Sequence, residues 1–173
     1  MIVRHPPATS TGLKLSDIFR NQSATGKFFW LDLKNINPDN CHSILNNLIK
    51  ICNGHKGTII LETSTASLIP TIKSAGFICS YYIPDIVSIP DDSLCVSLAN
   101  LKSELHKYHP DAISQSIENI PMMDRLFPCL PKLTWALNGY WSSSDFRKPV
   151  QTLLQQHPSI KICLVNHPSE GWL

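Results

Sequence analysis

GTIILETSTASLIPTIKSAGFICSYY, residues 57–82, is the stretch that decides the architecture. GTIILE (57–62) is an apolar, β-branched run of strand length. Ser64 and Thr65 are residues that open helices, the apolar positions after them continue to Lys73, and Gly76 stops the helix. FICSYY (77–82) is strand-like again. Strand, helix, strand in immediate succession predicts a parallel pair joined by a helical crossover.

The same unit repeats outward in both directions. Upstream, FFWLDLKN (28–35) is a strand, and Asn37-Pro38 supplies a cap and a first-turn proline for a helix with its apolar stripe on Cys41, Ile44, Leu45, Leu48, Ile49 and Cys52, closed by Gly54. Downstream, a proline-bearing connection (83–92) leads to a helical stripe at Leu94, Leu98, Leu101, Leu105 and Tyr108. DAISQSI (111–117), a short helix near 119–127, the strand KLTWALN (132–138), a helix over about 144–156 and the strand IKICLVN (160–166) follow. With IVRH near the start, the candidate strands number seven. The expected fold class is α/β, an incomplete TIM-type (β/α) barrel of six to seven parallel strands in a single domain over 1–173, since a closed eight-stranded barrel usually needs about 250 residues.

Composition bounds the partners. The chain has 173 residues, 43% hydrophobic and 16% charged, which supplies a core and argues against disorder. The formal charge is +2 with basic residues scattered, so neither a nucleic-acid footprint nor a polybasic membrane patch is expected. No apolar run approaches the roughly 20 residues of a membrane span, and MIVRHPPATS lacks the apolar segment of a signal peptide; the expectation is a cytoplasmic protein. The six cysteines form no CxxC pair and sit mostly among apolar neighbours, as reduced, buried thiols do.

In parallel α/β folds ligands gather at the carboxyl ends of the strands. That rule selects Arg4 and His5, Asp32 and Lys34, Glu62, Ser80 and Tyr82, Gln115 and Ser116, Asn138, and Asn166 with His167. Strand alternation places Phe28, Trp30, Asp32 and Lys34 on one face, so a charged pair is expected to point inward beside two aromatic rings. Asp32 and Lys34 also read as an internal ion pair that tolerates burial. Glu62 also reads as a cap for the helix after it. Four His-Pro dipeptides divide into two kinds. His109-Pro110 and His157-Pro158 follow helices and read as stops, whereas His5-Pro6 and His167-Pro168 follow strands on the candidate site face.

VRHPPATSTGLKLSDIF followed by FFWLDLKN resembles the glycerophosphodiester phosphodiesterase-like superfamily, and within it the menorin-type proteins, with an HPP turn, a short helix and an LDFK-type strand. WALN (135–138) is similar to the WTVN strand of the phosphodiesterases, and LVNHP (164–168) to their final strand. The resemblance implies a TIM-type barrel in which a divalent cation, magnesium or calcium, and histidines cleave a small glycerol- or sugar-linked phosphodiester. It implies His5 as general acid, Asp32 as metal ligand and Lys34 as the phosphate-facing lysine, with Trp135 and Asn138 on the substrate side. Arg4, Glu62 and Tyr82 join these as candidate substrate-binding residues.

The departures carry expectations of their own. The superfamily's H-R-G and E-x-D elements, which supply another histidine and two metal ligands, have no counterpart in the sequence. The first one or two βα units are therefore expected to be missing and this chain to be inactive by itself; the readings for the sheet edges so exposed are, first, a truncated product or fragment, then an open sheet closed by something else, or homodimerisation through those edges. The alternative is a non-catalytic relative that binds an anionic or glycan ligand at the strand ends.

Overall fold

The computed structural model describes residues 12–20, 26–52, 56–83, 89–136 and 147–165. The predicted IVRH strand, with Arg4 and His5, lies outside them, as do Asn138, Asn166 and His167. Six strands alternate with helices, and the described pairings are all parallel between strands consecutive in the chain. The fold class is the expected one, an incomplete TIM-type α/β barrel. The chain forms two compact units, Met1–Cys79 and Ser80–Leu173.

In the first unit, α1 (Leu15–Arg20) precedes β1 (Phe29–Asp32), α2 (Cys41–Cys52), β2 (Ile59–Thr63) and α3 (Ile69–Ser74). The helix expected from Asn37-Pro38 begins only at Cys41, so Pro38 lies in the preceding turn and not in the first turn of α2; Asn37 caps that turn, its Oδ1 accepting the amides of Asp39 and Asn40 at 3.0 and 3.1 Å, and Asn40 Oδ1 accepts the Asn37 amide at 2.9 Å. This reciprocal pair satisfies orphan donors at the helix start. Leu45, Leu48 and Cys52 are the buried stripe of α2, and Ile59 and Leu61 of β2 are fully buried. Other boundaries move as well. Residues 56–58 form a 3₁₀ turn rather than the head of the strand, and α3 begins at Ile69 after a second 3₁₀ turn over Ala66–Leu68, with Pro70 in its first turn. Proline is tolerated there because that amide has no intrahelical acceptor.

The second unit holds β3 (Ile78–Tyr82, its first two residues in the first unit), α4 (Asp91–Tyr108), β4 (Ala112–Ser116), α5 (Ile120–Leu126), β5 (Lys132–Ala136), α6 (Arg147–Gln156) and β6 (Ile160–Val165). α4 ends at His109 in the left-handed conformation, φ 47°, with its amide on the Leu105 carbonyl, so the His109-Pro110 dipeptide is a helix stop. A register shift at Lys132/Leu133 places Lys132 opposite Ile160 and Leu133 opposite Ile162, one extra residue in β6. All six cysteines are free thiols; Cys41, Cys52 and Cys79 are buried, but Cys95 and Cys129 are exposed, because their positions fall off the buried stripe of α4 and in the turn before β5.

Candidate functional site

In the first unit, the parallel register pairs Phe29 with Ile59, Trp30 with Ile60, Leu31 with Leu61 and Asp32 with Glu62. Phe29 meets Phe19 of α1, ring centroids 4.8 Å apart, so the Phe29 side of the sheet carries helix. Trp30, Asp32 and Glu62 share the opposite side. Glu62 is 3% exposed, and its Oε2 accepts the Trp30 indole N–H at 3.0 Å. That contact crosses the strand pair diagonally, within reach of a long aromatic side chain. Two carboxylates thus stand side by side at the carboxyl ends of β1 and β2.

Lys34 Nζ lies 2.6 Å from Asp32 Oδ2, with the side chains 51% and 40% exposed. The expected inward-pointing pair is therefore corrected: β1 ends at Asp32, Lys34 sits in the following turn, and Phe28, 63% exposed, precedes the strand. Strand alternation does not extend into a turn. The buried charge at this strand end is Glu62, and Trp30, read from sequence as core, is its hydrogen-bond donor. The shared parity of residues 30 and 32 was the available signal.

In the second unit, the two sides of the sheet sort by what they reach. Tyr81 Oη donates to Glu104 Oε2 of α4 at 2.8 Å; burial first, then this bond and the negative charge of Glu104, push the phenol well above its ordinary pKa. Tyr81 and Lys132 therefore lie on the helix side. Ser80, Tyr82, Ser114, Ser116, Leu133 and Trp135 occupy the other side, where Tyr82 and Trp135 stack with centroids 5.7 Å apart and planes 6° from parallel.

At the amino end of β5 a different group of charges is packed away. Lys132 is 0% exposed; its Nζ donates to the carbonyls of Phe127 and Leu130 at 2.8 and 2.9 Å and lies 2.9 Å from Asp124 Oδ1. The Asp124 carboxylate also meets His157 Nδ1 at 2.6 Å and accepts the Ser159 hydroxyl. Burial alone would raise the Asp124 carboxyl, but hydrogen bonds from Ser159, Lys132 and His157 and the charge of Lys132 outweigh it, leaving the pKa below the ordinary carboxylate value. His157-Pro158 is structural, as its position after a helix implied. Although serine, histidine and aspartate meet here, both Ser159 and His157 bond to the carboxylate, an arrangement that ties loops together.

Asp32, Lys34 and Glu62 are thus brought together, and so are Tyr82 and Trp135. Among the described residues no group of three or more histidine, cysteine or acidic side chains is placed to hold a metal ion. No helix among them is long and apolar enough to cross a membrane.

No protein-family model and no curated protein matches the sequence. Among solved structures, the fold is similar to that of a candidate glycerophosphodiester phosphodiesterase from Galdieria sulphuraria, with a TM-score of 0.59 over 92% of this chain and 62% of that one, at 12% sequence identity. The likeness is one of fold. This chain spans less than two thirds of that protein's length.

Proposed function

We propose, against the expectation of an inactive chain drawn from the missing H-R-G and E-x-D elements, that the protein is a metal-dependent phosphodiesterase-like hydrolase acting on a small glycerol- or sugar-linked phosphodiester. The observation that carries this reading is the parallel register that sets Asp32 beside Glu62 at the carboxyl ends of β1 and β2, with the Lys34 ammonium on Asp32. The fold likeness to a candidate glycerophosphodiester phosphodiesterase supports it.

The donor set fits a magnesium-type ion better than calcium. Magnesium is commonly held by one or two carboxylates, with water and substrate phosphate completing the shell, whereas calcium asks for six to eight protein and water oxygens. Asp32 and Glu62 would hold the ion. When bound, such an ion neutralises phosphate charge and polarises the P–O bond.

The chain's own residues do the rest. Lys34, half in solvent, offers a point charge to a phosphate oxygen while balancing Asp32. The Trp30 indole fixes the direction of the Glu62 carboxylate. His5, on the resemblance, delivers a proton to the leaving alkoxide.

The test is hydrolysis of glycerophosphocholine and glycerophosphoglycerol with magnesium added or chelated, in the wild type and in Asp32→Asn, Lys34→Met and His5→Ala. Magnesium-dependent release of glycerol 3-phosphate that falls in all three variants is expected. Turnover indifferent to chelation and to Asp32→Asn would remove the proposed roles.

A further inference from the structure

Between β3 and α4 the second unit holds a cavity of about 240 Å³. Its floor is apolar and buried: Ile83 is 1% exposed, Tyr81 5% and Leu101 7%, and Ile89, half-buried, joins them. Its rim carries Asn100 and Glu104 of α4, four residues apart and so on one face of the helix. Protein interiors are close-packed, with few voids larger than a water molecule, whose share of liquid volume is roughly 30 Å³. An opening several times that size is a shaped space rather than a packing gap. Among the described residues Glu104 is the one charged side chain that lines it. Tyr81 Oη donates to Glu104 Oε2 at 2.8 Å, and among the described residues this is the one side-chain partner of that carboxylate. Burial, the bond itself and the charge of Glu104 keep the phenol protonated, so Tyr81 fixes one carboxylate oxygen and leaves Oε1 to solvent or a ligand. A neutral apolar guest would strip water from that oxygen and give nothing back, and an anion would meet like charge. An ammonium answers both demands, because its N–H groups bond the carboxylate and its charge balances it.

We infer that the cavity between β3 and α4 is a binding site for a small organic cation, a primary ammonium on an apolar body, with Glu104 as its counter-ion and Ile83, Ile89 and Leu101 as its apolar bed. An apolar cavity of about 150 Å³ accepts benzene, so this one has room for a ring of that size with a short aminoalkyl arm. The rim asparagine offers an amide oxygen to a further N–H of the ammonium. The site shares no residue with the carboxylates of β1 and β2, so this inference and the phosphodiesterase reading stand or fall separately.

The experiment titrates the full chain with 2-phenylethylamine, 2-phenylethanol and 3-phenylpropionate, similar in shape and different in charge, by ligand-observed NMR. The wild type is expected to bind the amine about tenfold or more tighter than the alcohol, the low end of the scale for a hydrogen bond to a charged group because Glu104 is partly in solvent, and to bind the carboxylate more weakly still. Glu104→Gln keeps an oxygen for the Tyr81 hydroxyl and removes the charge; it is expected to bind amine and alcohol alike and to melt near the wild type. Asn100→Lys puts an ammonium one turn from Glu104 and is expected to lose the preference for the amine as well. A wild type that binds none of the three compounds, or binds them alike, overturns the inference. So does a preference for the amine that survives in Glu104→Gln, since the cation is then held elsewhere on the molecule. Should Glu104→Gln fail to fold, Asn100→Lys decides in the same way: a lost preference supports the inference and a retained one overturns it.

Discussion

Two aspartate–lysine pairs in this molecule have nearly the same separation and opposite surroundings. Asp32–Lys34, at 2.6 Å, stands at the carboxyl end of β1 with both side chains about half in solvent. Asp124–Lys132, at 2.9 Å, stands at the amino end of β5 with the lysine wholly buried and its ammonium bonded to two backbone carbonyls as well. The exposed pair is screened by water and contributes little to stability; its groups remain available to a ligand. The buried pair has given up its hydration, so each member depends on the other, and removing one is costly. In (β/α) folds the carboxyl ends of strands carry chemistry and the amino ends carry stability, and the two pairs stand at those two ends.

Mutation is the way to break the comparison. The largest effect is expected at the exposed pair but in rate: Asp32→Asn should lower glycerophosphodiester turnover roughly a thousandfold, the scale of removing an electrostatic group from a phosphoryl-transfer site. Its unfolding free energy should stay within about 0.5 kcal/mol of the wild type in urea titrations. Lys132→Ala should behave the opposite way, costing about 3–5 kcal/mol by leaving Asp124 without its buried partner, with turnover per folded molecule unchanged. Adding Asp124→Asn to Lys132→Ala should recover part of that loss, which a double-mutant cycle measures.

Acid sharpens the contrast further. The folded Asp124 carboxyl titrates below its unfolded value, so the stability it contributes is present above the ordinary carboxylate pKa and disappears as pH falls through that value toward the lower folded one. Melting temperatures of wild type and Asp124→Asn measured from pH 7 down to about pH 3 should therefore converge. A gap that widens in acid would contradict the assignment. The smallest effect belongs to Trp30→Phe, which removes one hydrogen bond to Glu62 and should cost on the order of 1 kcal/mol, with a raised magnesium requirement for turnover as the more telling readout.

Much of the architecture was readable in advance because it rests on local rules. The α2 stripe from Cys41 to Cys52, the Asn37 cap, the run at 59–62 and the close succession of strand and helix all follow from periodicities of 3.6 and 2. Asp32, Lys34 and Glu62 were legible as site candidates because they fall at strand ends. Their surroundings were not: Lys34 was expected inside, because strand alternation was carried two residues beyond the point where β1 becomes a turn. Lys132 gave no sign of burial, since a lysine opening a strand is ordinary, and the acid that receives it lies on the preceding helix.

What the sequence determined by itself is the succession of elements and the face on which each strand residue lies, because backbone geometry enforces both over a few residues. Only the tertiary structure decided that Trp30 holds Glu62, that Asp124 gathers Lys132, His157 and Ser159, and that two rings meet across β4. Trp30 and Glu62 are 32 residues apart, and Asp124 and His157 are 33 apart. Contacts at such separations depend on strand register, where a slip of one residue turns every side chain to the other side.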